Sequence, residues 1–171
     1  MRHRPSALRS AATLLVGALL GTAVLGGCGG GDDAERLSAD ALTRRAESIC
    51  EAGKREADRL RRRAEIGARG EAAAEEIDAT LEALETQIDG FEDLRGPATT
   101  DDRRAALVRH LRAAADGLAE LRQAVIDDDL TVDEAIADRP GLVQRVNRSS
   151  AQAADDLVAL DWLFCIGVTG G

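Results

Sequence analysis

Cys28, Cys50 and Cys165 are the side chains of this 171-residue chain with the readiest covalent chemistry. Thiols form disulfides, exchange electrons or bind metals, and spacing is what separates these uses. No Cys-x-x-Cys occurs, and neither Cys50 nor Cys165 has a histidine or second cysteine close in sequence. A structural disulfide, a redox thiol and a metal ligand therefore all remain open from spacing alone. His110 is the only histidine beyond His3. A Glu-x-x-His pair of a di-iron site would need a glutamate three residues earlier, where Leu107 stands, so His110 reads as a surface residue. The run Asp127–Asp133 resembles a calcium loop only faintly. Its sixth position is Val132 where a glycine is needed, and its twelfth is Asp138 rather than glutamate, so it reads as an acidic connector. Arg59, Arg61, Arg62 and Arg63 could touch anionic polymer or headgroups. Cations near a helix C-terminus are also favoured by the helix dipole, and a solvated face is the simpler account. There is no Gly-x-Ser-x-Gly, no phosphate-cradling loop and no histidine–carboxylate–nucleophile set. Enzymatic activity, a cofactor and a metal are not expected.

The elements around these residues begin with a distinct leader. Arg2, Arg4 and Arg9 precede an apolar run over residues 11–24, with no acidic residue among them. The run is short of the roughly 20 residues a spanning helix needs and fits a secretory signal. Leu25-Gly26-Gly27-Cys28 follows. This stretch resembles the lipobox of bacterial lipoproteins. The resemblance implies a signal peptide over 1–27, cleavage before Cys28, a diacylglyceryl thioether on Cys28, and residence on the extracytoplasmic face of the cell membrane. Two acyl chains suffice for stable attachment where one is marginal. Gly29-Gly30-Gly31-Asp32-Asp33 opens a flexible tether over 28–37.

Residues 28–171 are enough for one domain with a core, over 38–167, and a tail over 168–171. Loss of Arg2, Arg4 and Arg9 with the signal moves the formal charge from −9 to −12, which argues against a nucleic-acid partner and gives no pull toward anionic lipid. Phe91, Trp162 and Phe164 are the only aromatic residues. A core of Leu, Ile, Val and Ala suits packed helices.

Periodicity predicts four of them. Ser38 caps the first, whose seam is Leu42, Ala46, Ile49, Gly53, Ala57, Leu60 and Ala64, ended by Gly67 and Gly70. The second carries Ala74, Ile77, Leu81, Leu84, Ile88, Phe91 and Leu94, closed by Gly96-Pro97. Thr99 or Thr100 caps the third, with Asp101 and Asp102 in its first turn and a seam of Leu107, Leu111, Ala114, Leu118, Leu121 and Val125. Thr131 and Glu134 form a capping box for a short helix, and a new start near Pro140 leads to the seam Leu142, Val146, Ser149, Ala153, Leu157, Leu160 and Phe164. The expected fold is all-α, an up-down-up-down four-helix bundle with a broken fourth helix.

With Cys28 assigned to lipid, the remaining pair in an exported chain is expected to form a Cys50–Cys165 disulfide, which the bundle makes geometrically sensible. The whole mature pattern resembles small helical lipoproteins of high-GC Gram-positive bacteria, through Ile49-Cys50 and Trp162-Leu163-Phe164-Cys165-Ile166-Gly167. That group implies fold and location but no activity. The expected function is a non-enzymatic interaction or structural module of the cell envelope, with an envelope protein as partner. The alternative is a lipoprotein that binds a small molecule or lipid in a pocket between helices near Phe91, Trp162 or Phe164.

Overall fold

The computed structural model describes residues 36–62 and 67–166. The proposed signal 1–27, Cys28 and the tether as far as Glu35 lie outside the described residues, as do Arg63, Ala64, the side chains of Leu60 and Arg61, Gly167 and the tail. All regular structure among the described residues is helical. The helices are α1 (Ala39–Arg61), α2 (Gly70–Glu92), α3 (Asp101–Asp127), α4 (Val132–Asp138) and α5 (Pro140–Ala159), with 3-10 turns at Ala98–Thr100 and Leu163–Cys165. No described helix is long and apolar enough to cross a membrane.

The helix starts follow local chemistry. Ser38 Oγ accepts from the Ala41 N–H at 3.3 Å, and Thr131 and Glu134 form the reciprocal capping box that opens α4. Pro140 occupies the first turn of α5, where its missing N–H has no cost. Thr100, expected to cap α3 through its hydroxyl, does not. The residue is already helical, a 3-10 turn feeds α3 directly, and the hydroxyl donates back to the Pro97 carbonyl at 2.8 Å.

Two helices end by the same device. At the end of α3 the Asp129 N–H donates to Ile126 O and the Leu130 N–H to Val125 O. At the end of α5 the Asp161 N–H donates to Val158 O and the Trp162 N–H to Leu157 O. These are paired Schellman closures, with aspartate at the left-handed position (φ 47° and 60°) where glycine is commonest. Each reverses the chain and turns the next apolar residue inward. This overturns the expected continuation of the α5 seam to Phe164. The helix stops at Ala159, Trp162 takes the interior place, and Phe164 is left 38% exposed.

The packed pairs are α1 on α2, α2 on α3 and α3 on α5, while α1 also meets the Leu163–Cys165 turn. Each helix pair is antiparallel. Gly53 lies against Gln87 and Gly96 against Leu42; Asp78 pairs with Arg122 and Glu92 with Arg112; Gly117 lies against Val146 while Asp156 meets Arg103. The core has two parts. One gathers Leu42, Ala46, Cys50, Ile88, Phe91, Leu107, Leu111, Leu157 and Trp162, and the other Ala74, Ile77, Leu121, Val125, Ala135 and Leu142.

Gly117 marks the closest approach of α3 to α5. A Cβ there would stand 2.4 Å from Val146 Cγ2. Alanine is the better helix former by about 1 kcal/mol, yet a stiff valine cannot yield cheaply. Gly117→Ala is therefore expected to lower stability by about 1–3 kcal/mol in urea unfolding, and a gain would contradict the close packing of α3 on α5.

Candidate functional site

The cysteines assigned to a bridge are brought together. Cys50, midway along α1, and Cys165, in the last turn, have Cα atoms 5.3 Å apart, within the range a disulfide spans. Both side chains are buried. Between them and α2, Trp162 stacks on Phe91 with ring centroids 5.6 Å apart and planes at 19°. These two rings, placed by the sequence reading beside a pocket, instead fill the interior.

His110 is not a simple surface residue. Its ring is half-buried, and Nδ1 donates to Asp156 Oδ2 at 2.8 Å. Arg103, two turns earlier on α3, donates to Asp156 Oδ1 at the same distance. Asp156 itself is 2% exposed. A buried carboxylate is costly unless its oxygens are paired, and here each oxygen has one donor from α3. The sequence reading missed this because Arg103 and His110 are seven apart on one face, while Asp156 belongs to another helix. An aspartate-oriented imidazole is half of a general-base arrangement. No hydroxyl or thiol is hydrogen-bonded to His110 among the described residues, so the observed work of the cluster is to tie α3 to α5.

Arg104 points the other way and is buried against the end of α2. Its guanidinium donates to the carbonyls of Phe91, Glu92 and Leu94, and to Asp101 Oδ1 at 3.1 Å. It thereby supplies donors to carbonyls that a helix C-terminus leaves unpaired. Asp101 also accepts from Arg36 Nη1 at 2.8 Å. The Arg36 hydrogen bond, followed by that of Arg104, holds the Asp101 carboxyl below its ordinary range. Because the folded value is lowered, the unfolded chain takes up the proton first. This contribution is complete above the usual carboxylate range and is lost as pH falls through the lowered value.

Chain contacts begin before Ser38. The Leu37 N–H donates to Arg95 O at 2.6 Å, and Arg36 Nη1 donates to Gly96 O at 2.8 Å. Beside them runs an open groove of about 630 Å3 between the start of α1 and the end of α2, with Leu37, Ala41 and Leu94 along it and Arg44, Arg45 and Arg95 at its sides. Arg44 and Arg45 have no side-chain partner among the described residues. At the other end of the molecule the acidic connector is locally paired. Asp127 accepts from Gln123 at 2.7 Å, Asp128 from Arg139 at 2.5 Å, and Glu134 from Arg69 and the Thr131 N–H. Of the basic run, Arg59 donates to Glu56 at 2.9 Å and Arg62 is exposed. Among the described residues no three His, Cys, Asp or Glu side chains are grouped to hold a metal.

No protein-family model matches the chain, and neither the curated proteins nor the solved structures gave a match.

Removing either donor to Asp156 leaves a buried oxygen short of a partner. Arg103→Ala and His110→Ala are each expected to lower stability by about 1.5–3 kcal/mol, read by thermal or urea unfolding. Unchanged stability in both would show that the carboxylate is solvated and not a tie between helices.

Proposed function

We propose that this protein is a lipid-anchored helical lipoprotein on the extracytoplasmic face of the cell membrane, acting as a non-enzymatic interaction or structural module of the envelope. The observation that carries the reading is an order of segments: a basic start, a short apolar run, Leu25-Gly26-Gly27-Cys28, then a helical domain. Support comes from where the polar side chains are used. His110, Cys50 and Cys165 face neighbouring elements, while Asp128 of the connector pairs with Arg139. The domain closes as an up-down-up-down bundle, with the Leu163–Cys165 turn completing the contact between the end of the broken fourth helix and α1. Cys50 and Cys165 form its disulfide, suited to an oxidising compartment. The bridge closes a loop of 115 residues, and in the chain-entropy model a loop of that length contributes about 4–5 kcal/mol.

Cys28→Ala is expected to move the protein from the membrane fraction into the soluble extracytoplasmic fraction, followed by fractionation and immunoblotting. A variant still wholly in membranes would refute the anchor.

The second reading, a binding lipoprotein, is favoured by the groove beside Leu37 and not by the ring-filled interior. An apolar floor flanked by Arg44, Arg45 and Arg95, three cations against the single carboxylate of Asp93, suits an anionic amphiphile. Saturable binding of dodecyl phosphate that Arg44→Ala and Arg45→Ala together weaken at least about tenfold would establish it. Binding that ignores those substitutions would remove it.

A further inference from the structure

Four guanidiniums meet where the end of α2 faces the first half of α3. Arg95, Arg104, Arg109 and Arg112 line an open pocket of about 410 Å3, and Glu92 is the one carboxylate among its described lining residues. Ala105 and Val108 complete the wall. In a chain whose formal charge is −9 this is a local reversal of sign.

The protein does not balance these charges. Glu92 accepts from Arg112 and is engaged there. Arg95 donates only to the backbone carbonyls of Glu92 and Leu94, so no carboxylate compensates it. Arg104, 9% exposed, also lies on carbonyls, and its carboxylate partner Asp101 is shared with Arg36. Its buried Nε has no partner. The C-terminus of α2 offsets these cations by only about half an elementary charge. Arg109 is exposed and has no side-chain partner among the described residues. One turn away along α3 stand Ala105, Ala106, Arg112 and Ala113, so its own helix offers a like charge and no acid. Glu85, Asp89 and Asp116 border a separate cavity that shares only Arg112 with this one. A run of exposed cations is ordinarily a solvated face. Here one member is buried, two are uncompensated, and all border one concavity.

Charge and size define the occupant. Guanidiniums present planar forks that match oxyanions, and two uncompensated cations call for two negative charges. A phosphate monoester is largely a dianion at neutral pH, and a pocket of this volume holds a phosphoryl group with a small organic substituent. Ala105 and Val108 alone give no bed for acyl chains, which separates this site from the groove beside Leu37.

We propose that this pocket binds the phosphoryl group of a soluble phosphate monoester, with Arg95 and Arg109 as its ligands and Arg104 adding buried positive charge. The site stands whether or not Cys28 carries lipid.

Isothermal titration of the full chain with phenyl phosphate at neutral pH, in neutral detergent, provides the test, with phenol as the uncharged comparison. One saturable site for phenyl phosphate, and none for phenol, is the expected result. Arg109→Ala is expected to weaken binding at least about tenfold. Arg109 is exposed and unpaired, so this substitution reads the site and not the fold. Arg44→Ala with Arg45→Ala is expected to leave the affinity intact. Failure to saturate at millimolar phenyl phosphate, equal binding of phenol, or full affinity in Arg109→Ala overturns the site. Affinity kept in Arg109→Ala and lost with Arg44→Ala and Arg45→Ala assigns the anion to the groove, which overturns this site while supporting the binding-lipoprotein reading.

Discussion

The burial of Trp162 and Cys165 against α1 and α2 is the contact on which the rest of the fold depends. Among the described residues α1 packs as a helix chiefly on α2, and its inner residues Leu42, Ala46 and Cys50 need a second cover. The chain supplies it by stopping α5 at Ala159, turning through Asp161 in the left-handed region, and laying Trp162 on Phe91. Loss of a fully buried tryptophan costs roughly 3–5 kcal/mol in general, and here it would also uncover the apolar seam of α1.

Scarcity of rings makes this corner unusual within the molecule. Elsewhere the helices approach through small residues, as at Ala73 and Ala74, at Gly53 opposite Gln87, and at Gly117 opposite Val146. Close approach of backbones leaves little interior volume, so polar side chains that enter it must be fully paired. Asp156 meets that demand through Arg103 and His110, whereas Arg104 meets it only in part, with Nη1 on carbonyls at the end of α2 and its buried Nε without a partner. The same side chains tie α3 to its neighbours on both sides. Ion pairs on the exposed faces, such as Arg145 with Glu120, contribute far less each.

Much of this was legible in the sequence because helical spacing and caps are local signals. The seams of α1, α2 and α3, the capping box at Thr131 and the new start at Pro140 follow from residues within one or two turns. The pairing of Cys50 with Cys165 was legible only through the expected compartment and the return of the chain. Phe164 was misplaced because periodicity carries on until something stops it. The stop was an aspartate in a left-handed turn, a role usually signalled by glycine. The repeat of that device at Asp129 and Asp161, each followed by an apolar residue, was the available clue. The partners of His110 were illegible, since a buried carboxylate on a distant helix leaves no mark in local spacing. Cys28 and its lipobox-like context lie outside the described residues, so location rests on the sequence alone.

The most direct test of the central claim is the redox state and stability of the corner in protein isolated from its native host without reductant. Thiol labelling after denaturation without reductant, paired with urea unfolding with and without reductant, reads both. The account predicts that Cys50 and Cys165 resist labelling, and that reduction lowers stability by about 4–5 kcal/mol. Free thiols at both positions, or unfolding indifferent to reductant, would contradict a fold locked at its C-terminal turn.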